Sequence, residues 1–208
     1  MACPGLLPAR LRGFSMIEVL VSLIIIALGL LGLAGLQVRM QQSEFESYQR
    51  AQALVLLQDM VERIQVHRIT ASCFRFTTNT TNGAPYLGTG STLTPACAAS
   101  TANDNTRANE AITEWDELLQ GVAETKGGGS VGAMVGARGC VSYDAASELL
   151  DPTLVAIPGT GLYTVAISWK GTIDTFAPAV NCGNDNALYG AETRRRVVST
   201  TFRLGQLK

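Results

Sequence analysis

The sequence predicts an α+β fold in which one long N-terminal helix, hydrophobic in its first half, packs against an antiparallel sheet with disulfide-tied loops. Three observations predict it. Residues 14–36 form an apolar run with Glu18 as its one charge, and from Gln37 to Ile69 there is neither Pro nor Gly. Leu57, Met60, Val61 and Ile64 then repeat at i, i+3, i+4 and i+7, the spacing of one helix face. Near the other end, Leu162 to Lys170 and Val197 to Leu204 alternate as half-buried strands do.

The helix is expected from Phe14 to Ile69, on the order of 80 Å if straight at about 1.5 Å per residue. Its first 23 residues, 14–36, suffice to cross a hydrocarbon core of about 30 Å. Residues 37–72 form an amphipathic second half, whose stripe Phe45, Tyr48 and Val55 extend toward the N-terminus. Glu46 with Arg50, and Asp59 with Arg63, stand four apart in the favourable acid-before-base order. Gly29, Gly32 and Gly35 ease either local unwinding or close helix packing.

Residues 73–208 read as a globular head. Thr77 to Thr81, Asn82-Gly83, Pro85, Gly88, Gly90 and Pro95 mark residues 73–105 as a loop with at most short strands. Asn79-Thr80-Thr81 matches the glycosylation triplet, which short polar loops produce by chance. Asn105 or Thr106 is placed to cap a helix carrying Ile112, Trp115, Leu119 and Val122, with Glu114, Asp116 and Glu117 mainly on its wet face. Gly127-Gly128-Gly129-Ser130 reads as a turn before the sheet, since it lacks the ending of a phosphate loop.

Three strands follow. Gly139 to Tyr143 is short. Leu162 to Lys170 sets Tyr163, Val165, Ile167 and Trp169 against Thr164, Ala166 and Ser168, and Val197 to Leu204 sets Val198, Thr200, Phe202 and Leu204 against Val197, Ser199, Thr201 and Arg203. Arg194-Arg195-Arg196 opens the last strand as an edge guard or turn end.

Composition narrows the function classes. The chain has 16 Lys and Arg against 17 Asp and Glu, and Arg10 and Arg12 are the only charges before residue 14, so no nucleic-acid partner is expected. Of five cysteines, Cys3 stands in that leading segment, leaving Cys73, Cys97, Cys140 and Cys182. Four in an exported domain read as two disulfides with three possible pairings. Cys73 with Cys97 and Cys140 with Cys182 are favoured, each pair flanking a Gly-, Thr-, Asn- and Pro-rich segment. Each closure restricts the unfolded chain by roughly 3 to 4 kcal/mol. No metal or other cofactor is expected, because no two cysteines lie within four residues and His67 is the only histidine. No GxSxG, HExxH or phosphate-loop pattern occurs, so no catalytic residue is assigned and an enzyme is not expected.

Gly13-Phe14-Ser15-Met16-Ile17-Glu18 is the most specific motif. An ionised carboxylate within a bilayer costs roughly 2.5 to 3.5 kcal/mol at a helix centre and somewhat less near an end, so Glu18 needs a partner. A basic start and an apolar segment also fit a secretory signal peptide, with Leu33-Ala34-Gly35 as a cut site, or a plain membrane anchor. Neither explains an acid at position 18.

With its basic leader 1–13, the motif resembles the type IV prepilin family, whose fold is the α+β arrangement described above. The resemblance implies that a prepilin peptidase cuts between Gly13 and Phe14 and that Phe14 is N-methylated. It further implies that Glu18 neutralises the terminal ammonium of a neighbouring subunit during filament growth. The rest of the chain is similar to the PilV-type minor pilins, through Gly32-Leu33-Ala34-Gly35-Leu36-Gln37, the Trp115 helix, Gly139-Cys140-Val141, Tyr163 to Trp169, Cys182 and Arg195-Arg196. That similarity implies a low-abundance subunit in a minor-pilin complex that primes pilus assembly at the tip and supports attachment and twitching motility. The implied partners are other minor pilins, the major pilin, a pilus tip adhesin, the prepilin peptidase, the inner-membrane assembly platform and the membrane. The implied location is the bacterial inner membrane, with the head in the periplasm, and then the pilus on the cell surface. A minor pseudopilin of a type II secretion system shares the leader, Glu18 and the fold, and a DNA-uptake pilin would need more exposed cations than one arginine triplet.

Overall fold

A computed structural model describes residues 13–122, 125–127, 129–130 and 134–205. Cys3, Arg10 and Arg12 of the expected leader, and Gly128 of the expected glycine turn, lie outside the described residues. The chain divides into two compact units, Met1–Glu44 and Phe45–Lys208.

Helix α1, Met16–Val66, begins in the first unit and ends in the second, within three residues of the expected bounds. Up to Glu44 every one of its residues is exposed, including the whole apolar run. Its most apolar 18-residue window has a mean hydropathy of 2.8, so α1 is long and apolar enough to cross a membrane. A helix hydrophobic all round fits a bilayer or a bundle of like helices, not water. Gly29, Gly32 and Gly35 lie inside it as helical residues, and a Cβ at any of them would meet nothing within 4 Å.

In the second unit, α1 buries Gln49, Ala53, Leu56, Leu57, Met60, Val61 and Ile64. Phe45, Tyr48 and Val55 do not extend this stripe: they are 44, 63 and 68% exposed. The buried face advances by three or four residues per turn from Gln49, and those three residues fall on a neighbouring face with equally regular spacing. A 3₁₀ segment, Arg68–Phe74, follows and buries Thr70, Ala71 and Phe74.

Strand β1, Leu87–Gly88, is the short element within the loop region. Helix α2, Ala102–Leu119, starts earlier than expected because Thr101 is its N-cap, its hydroxyl accepting from Asp104 N. Asn105 does not cap the helix but ties down the preceding loop, its Oδ1 accepting from Ala99 N and Ser100 N. Helix α2 ends at Leu119, because Gly121 takes φ +75° and leaves Val122 beyond the end. Thr125–Lys126 (β2) and Gly129–Ser130 (β3) form a small hairpin where the sequence predicted only a turn.

The main sheet consists of β1, β4 (Arg138–Asp144), β5 (Leu162–Lys170) and β6 (Arg195–Arg203), antiparallel in the order β1-β4-β5-β6. Tyr163, Val165, Ile167 and Trp169 of β5 join the buried face of α1 and Ala108, Ala111, Ile112, Trp115 and Leu119 of α2 in one core. Trp115, fully buried, donates its indole N–H to the Leu56 carbonyl at 2.9 Å, satisfying the polar atom and locking α2 to α1.

The opposite face of β5 is also covered. Cys140 and Cys182 are disulfide-bonded, as are Cys73 and Cys97, and the first pair forms a second apolar cluster with Ala166. Ser168 donates to the Cys182 carbonyl at 2.9 Å and meets the Tyr189 hydroxyl at 3.0 Å, within the loop that carries the four-residue helix α3, Asn186–Tyr189. The disulfide thus anchors a loop that makes β5 a strand buried on both faces.

Candidate processing and assembly site

The chemistry expected of the N-terminal motif depends on where the first helical turn begins. Gly13, Phe14 and Ser15 precede α1 and carry no regular structure, so the Gly13–Phe14 bond lies outside the helical hydrogen-bond ladder. A peptidase can engage such a bond without unwinding a helix. The Ser15 carbonyl accepts from Glu18 N at 3.0 Å and from Val19 N at 3.3 Å, and Ser15 Oγ accepts from Ile17 N at 3.4 Å. Ser15 is therefore the N-cap, a role that the sequence reading missed although Ser15-Met16-Ile17-Glu18 has the spacing of a capping box.

Glu18 stands in the first turn of α1, where a carboxylate interacts favourably with the helix macrodipole. Its side chain is exposed and forms no ion pair with any described residue. Phe14 is likewise exposed. The three residues singled out in the sequence thus occupy one short exposed segment: the two flanking the bond, outside the helix, and the acid in its first turn.

In the second unit the charged side chains brace loops. Glu46 does not pair with Arg50. Its Oε1 accepts from Thr172 N at 2.9 Å and Thr172 Oγ1 at 2.8 Å, and lies 3.4 Å from Arg196 Nη2, joining α1 to the turn after β5 and to β6. Burial by itself raises the Glu46 pKa, but the two Thr172 bonds and the Arg196 charge outweigh it and hold the carboxyl below its ordinary value. A carboxyl lowered on folding contributes stability above its unfolded pKa, which is lost as pH falls through the folded one. Acidification from about pH 6 to about pH 3 is therefore expected to lower the melting temperature of wild type more than that of Glu46→Gln. Thermal melts of both proteins at the two pH values check this.

The arginine triplet is a turn end rather than an edge guard: Arg194 closes the 3₁₀ segment Glu192–Arg194 and Arg195 is its C-cap. Arg195 is fully buried, with Nε and Nη2 donating to Glu192 Oε2 at 2.9 and 2.7 Å, Nη1 to the Val180 carbonyl at 3.0 Å and Nη2 to Asn181 Oδ1 at 3.2 Å. Arg194 pairs with Asp174, and Arg196 Nη2 also reaches the Ile173 carbonyl. Arg138, which the sequence reading passed over, is buried in the same manner. It bonds Thr89 O, Gly183 O and Asp185 Oδ2, and its guanidinium lies 4.2 Å from the Tyr86 ring centroid. Both arginines hold the disulfide-anchored loop against the sheet.

The α2 acids are partly employed as well. Glu114 pairs with Arg63, which also holds Asp59, and Asp116 Oδ1 accepts from Gly88 N. His67 donates from Nδ1 to the Arg63 carbonyl, 2.9 Å away, and its ring packs on Phe74. Among the described residues, no group of three or more His, Cys, Asp and Glu side chains could hold a metal ion.

Two family models match adjoining parts of the chain. The prokaryotic N-terminal methylation motif matches residues 9–34, and the type IV pilin Tt1218 family matches residues 35–116. No curated protein and no solved structure gives a significant match. The first model covers the Gly13–Phe14 bond, Glu18 and most of the apolar run, and the second covers the rest of α1, the Cys73–Cys97 loop and most of α2. With the long apolar helix, the four-stranded antiparallel sheet and the two disulfides, these matches make the chain a type IV pilin-like prepilin.

Proposed function

We propose that the protein is a minor type IV pilin: cut between Gly13 and Phe14 by prepilin peptidase, methylated at Phe14, and assembled through Glu18 into a minor-pilin complex that primes the pilus. The observation that carries this reading is Glu18 itself, a carboxylate in the first turn of an apolar helix with no ion-pair partner among the described residues. In a low-dielectric filament or bilayer, the amino terminus of a neighbouring subunit is the cation that offsets its burial. Resemblance to the PilV-type proteins supports the minor role, a place at the pilus tip beside the adhesin, and a contribution to attachment and twitching motility. Before assembly, the apolar helix holds the protein in the inner membrane with its disulfide-bonded head in the oxidising periplasm.

Deleting the gene and scoring surface piliation against protein secretion tests the reading. Loss of pili with secretion intact is expected; intact pili with lost secretion would reassign the protein to a type II secretion pseudopilus. Mass spectrometry of sheared pili is expected to find the chain at low abundance, beginning at a methylated Phe14.

A further inference from the structure

Strand β6 lies at the edge of the sheet and pairs with β5 along all nine of its residues, Arg195↔Lys170 through Arg203↔Leu162. The register is continuous, so no bulge turns the edge away. Among the described residues, no other element bonds the main chain of 196–203. An edge of this kind presents a row of unpaired N–H and C=O groups, and proteins ordinarily blunt it with Pro, Lys, a bulge or a covering segment. Among the described residues no Pro, Lys, bulge or covering segment lies along β6, and of its charges Arg195 and Arg196 are held by Glu192 and Glu46 at one end, which leaves Arg203 exposed at the other. Of the central residues, Val197, Val198, Thr200, Thr201 and Phe202 are strong strand formers.

Burial points the same way. Six of the nine residues of β5 are buried and the other three partly covered, yet in β6 only Arg195 is buried. Val198, Thr200 and Phe202, which face the core side, remain half-exposed, as a sheet leaves them when one more strand is missing.

We propose that β6 is a docking edge that accepts an extended strand from a partner subunit, one with acidic residues flanking a β-branched middle. The ladder of main-chain groups calls for an extended backbone. The charges select its ends: Arg194, just before β6, is half-exposed and shared with Asp174 at 3.3 Å, and Arg203, exposed at the end of β6, bonds the Ser147 and Thr160 carbonyls with no carboxylate at ion-pair distance among the described residues. A second copy of β6 does not fit. Its residues, Arg195–Arg203, include no acid to meet the exposed Arg203. That the partner is a neighbouring pilus subunit rests on the function proposed above; the chemistry of the edge does not.

The test uses the full chain in detergent micelles and an end-blocked nonapeptide, Asp-Val-Thr-Val-Thr-Val-Thr-Val-Asp, with residue-resolved hydrogen exchange as the readout. The peptide is expected to slow the outward-facing amides of residues 197–202 by about tenfold or more, with β5 protected throughout. The same peptide flanked by arginines, or N-methylated along its backbone, is expected to leave those amides unchanged. No slowing by the acid-flanked peptide overturns the docking edge. Equal slowing by the arginine-flanked peptide overturns the charge selection. Protection that rises with the concentration of the chain alone assigns the edge to a second copy and overturns the partner chemistry. Because none of these readouts depends on pili, their outcome is separable from that of the gene deletion.

Discussion

Gly139→Val is expected to leave the protein without a folded head. A Cβ at Gly139 would lie 2.1 Å from Trp115 Cη2, 2.3 Å from Cζ3 and 2.7 Å from Leu119 Cδ1, well inside any real contact. The indole cannot retreat easily, because it is fully buried and its N–H is held by the Leu56 carbonyl. Moving it strands a buried donor, at about 1 to 3 kcal/mol, on top of about 1 to 3 kcal/mol for overpacking. Nor can the backbone move away, since Gly139 sits between Leu87 of β1 and Ile167 of β5. Against a total stability of about 5 to 15 kcal/mol, alanine is expected to cost several kcal/mol and valine most of what remains. Loss of the near-ultraviolet tryptophan signal and of protease resistance are the measurements. Gly29→Ala, where a Cβ meets nothing within 4 Å, should change neither. Combining Gly139→Ala with Trp115→Leu should recover part of the loss, because the two residues contest one space.

That tight spot explains what was and was not legible beforehand. Strand β5 could be read to the residue, because seven alternating positions leave one consistent register. Gly139-Cys140-Val141 was legible as a strand, but the need for glycine was not: Trp115 is far away in sequence and only packing brings it there. The α1 stripe failed in its early turns for a different reason. Phe45, Tyr48 and Val55 recur with helical spacing as regularly as Gln49, Ala53 and Leu56, and hydrophobicity favours the wrong set. The triplet was legible as a turn end, but the burial of Arg195 was not, because a basic triplet ordinarily faces water. Its burial depends on Glu192 and on a carbonyl and an amide from a loop whose path no local pattern encodes. At the N-terminal site, the Ser15 cap was legible in the Ser-x-x-Glu spacing and was overlooked, since the charge of Glu18 offered a louder explanation.

Glu18→Ala is expected to reduce incorporation into pili by tenfold or more while processing and the head remain intact. Two unit charges 4 Å apart attract by about 4 kcal/mol at an effective dielectric of 20, and desolvation consumes part of that. A net of about 1.4 kcal/mol already gives a factor of ten. Burying Glu18 unpaired is disfavoured, so a subunit enters the filament readily only where a cation awaits it. Alanine removes the attraction, and with it the preference for the one axial position that aligns Glu18 with a neighbouring amino terminus. Glu18→Gln keeps shape and polarity but not charge and should behave like alanine, whereas Glu18→Asp should keep part of the function despite its shorter reach. The proposed cut after Gly13 precedes the helix and should proceed in all three variants, which separates an assembly defect from a processing defect. Immunoblots of sheared pili against membranes measure incorporation, and the mass of the mature N-terminus reports processing. Wild-type incorporation of both Glu18→Ala and Glu18→Gln would remove the charge pairing from the account of assembly.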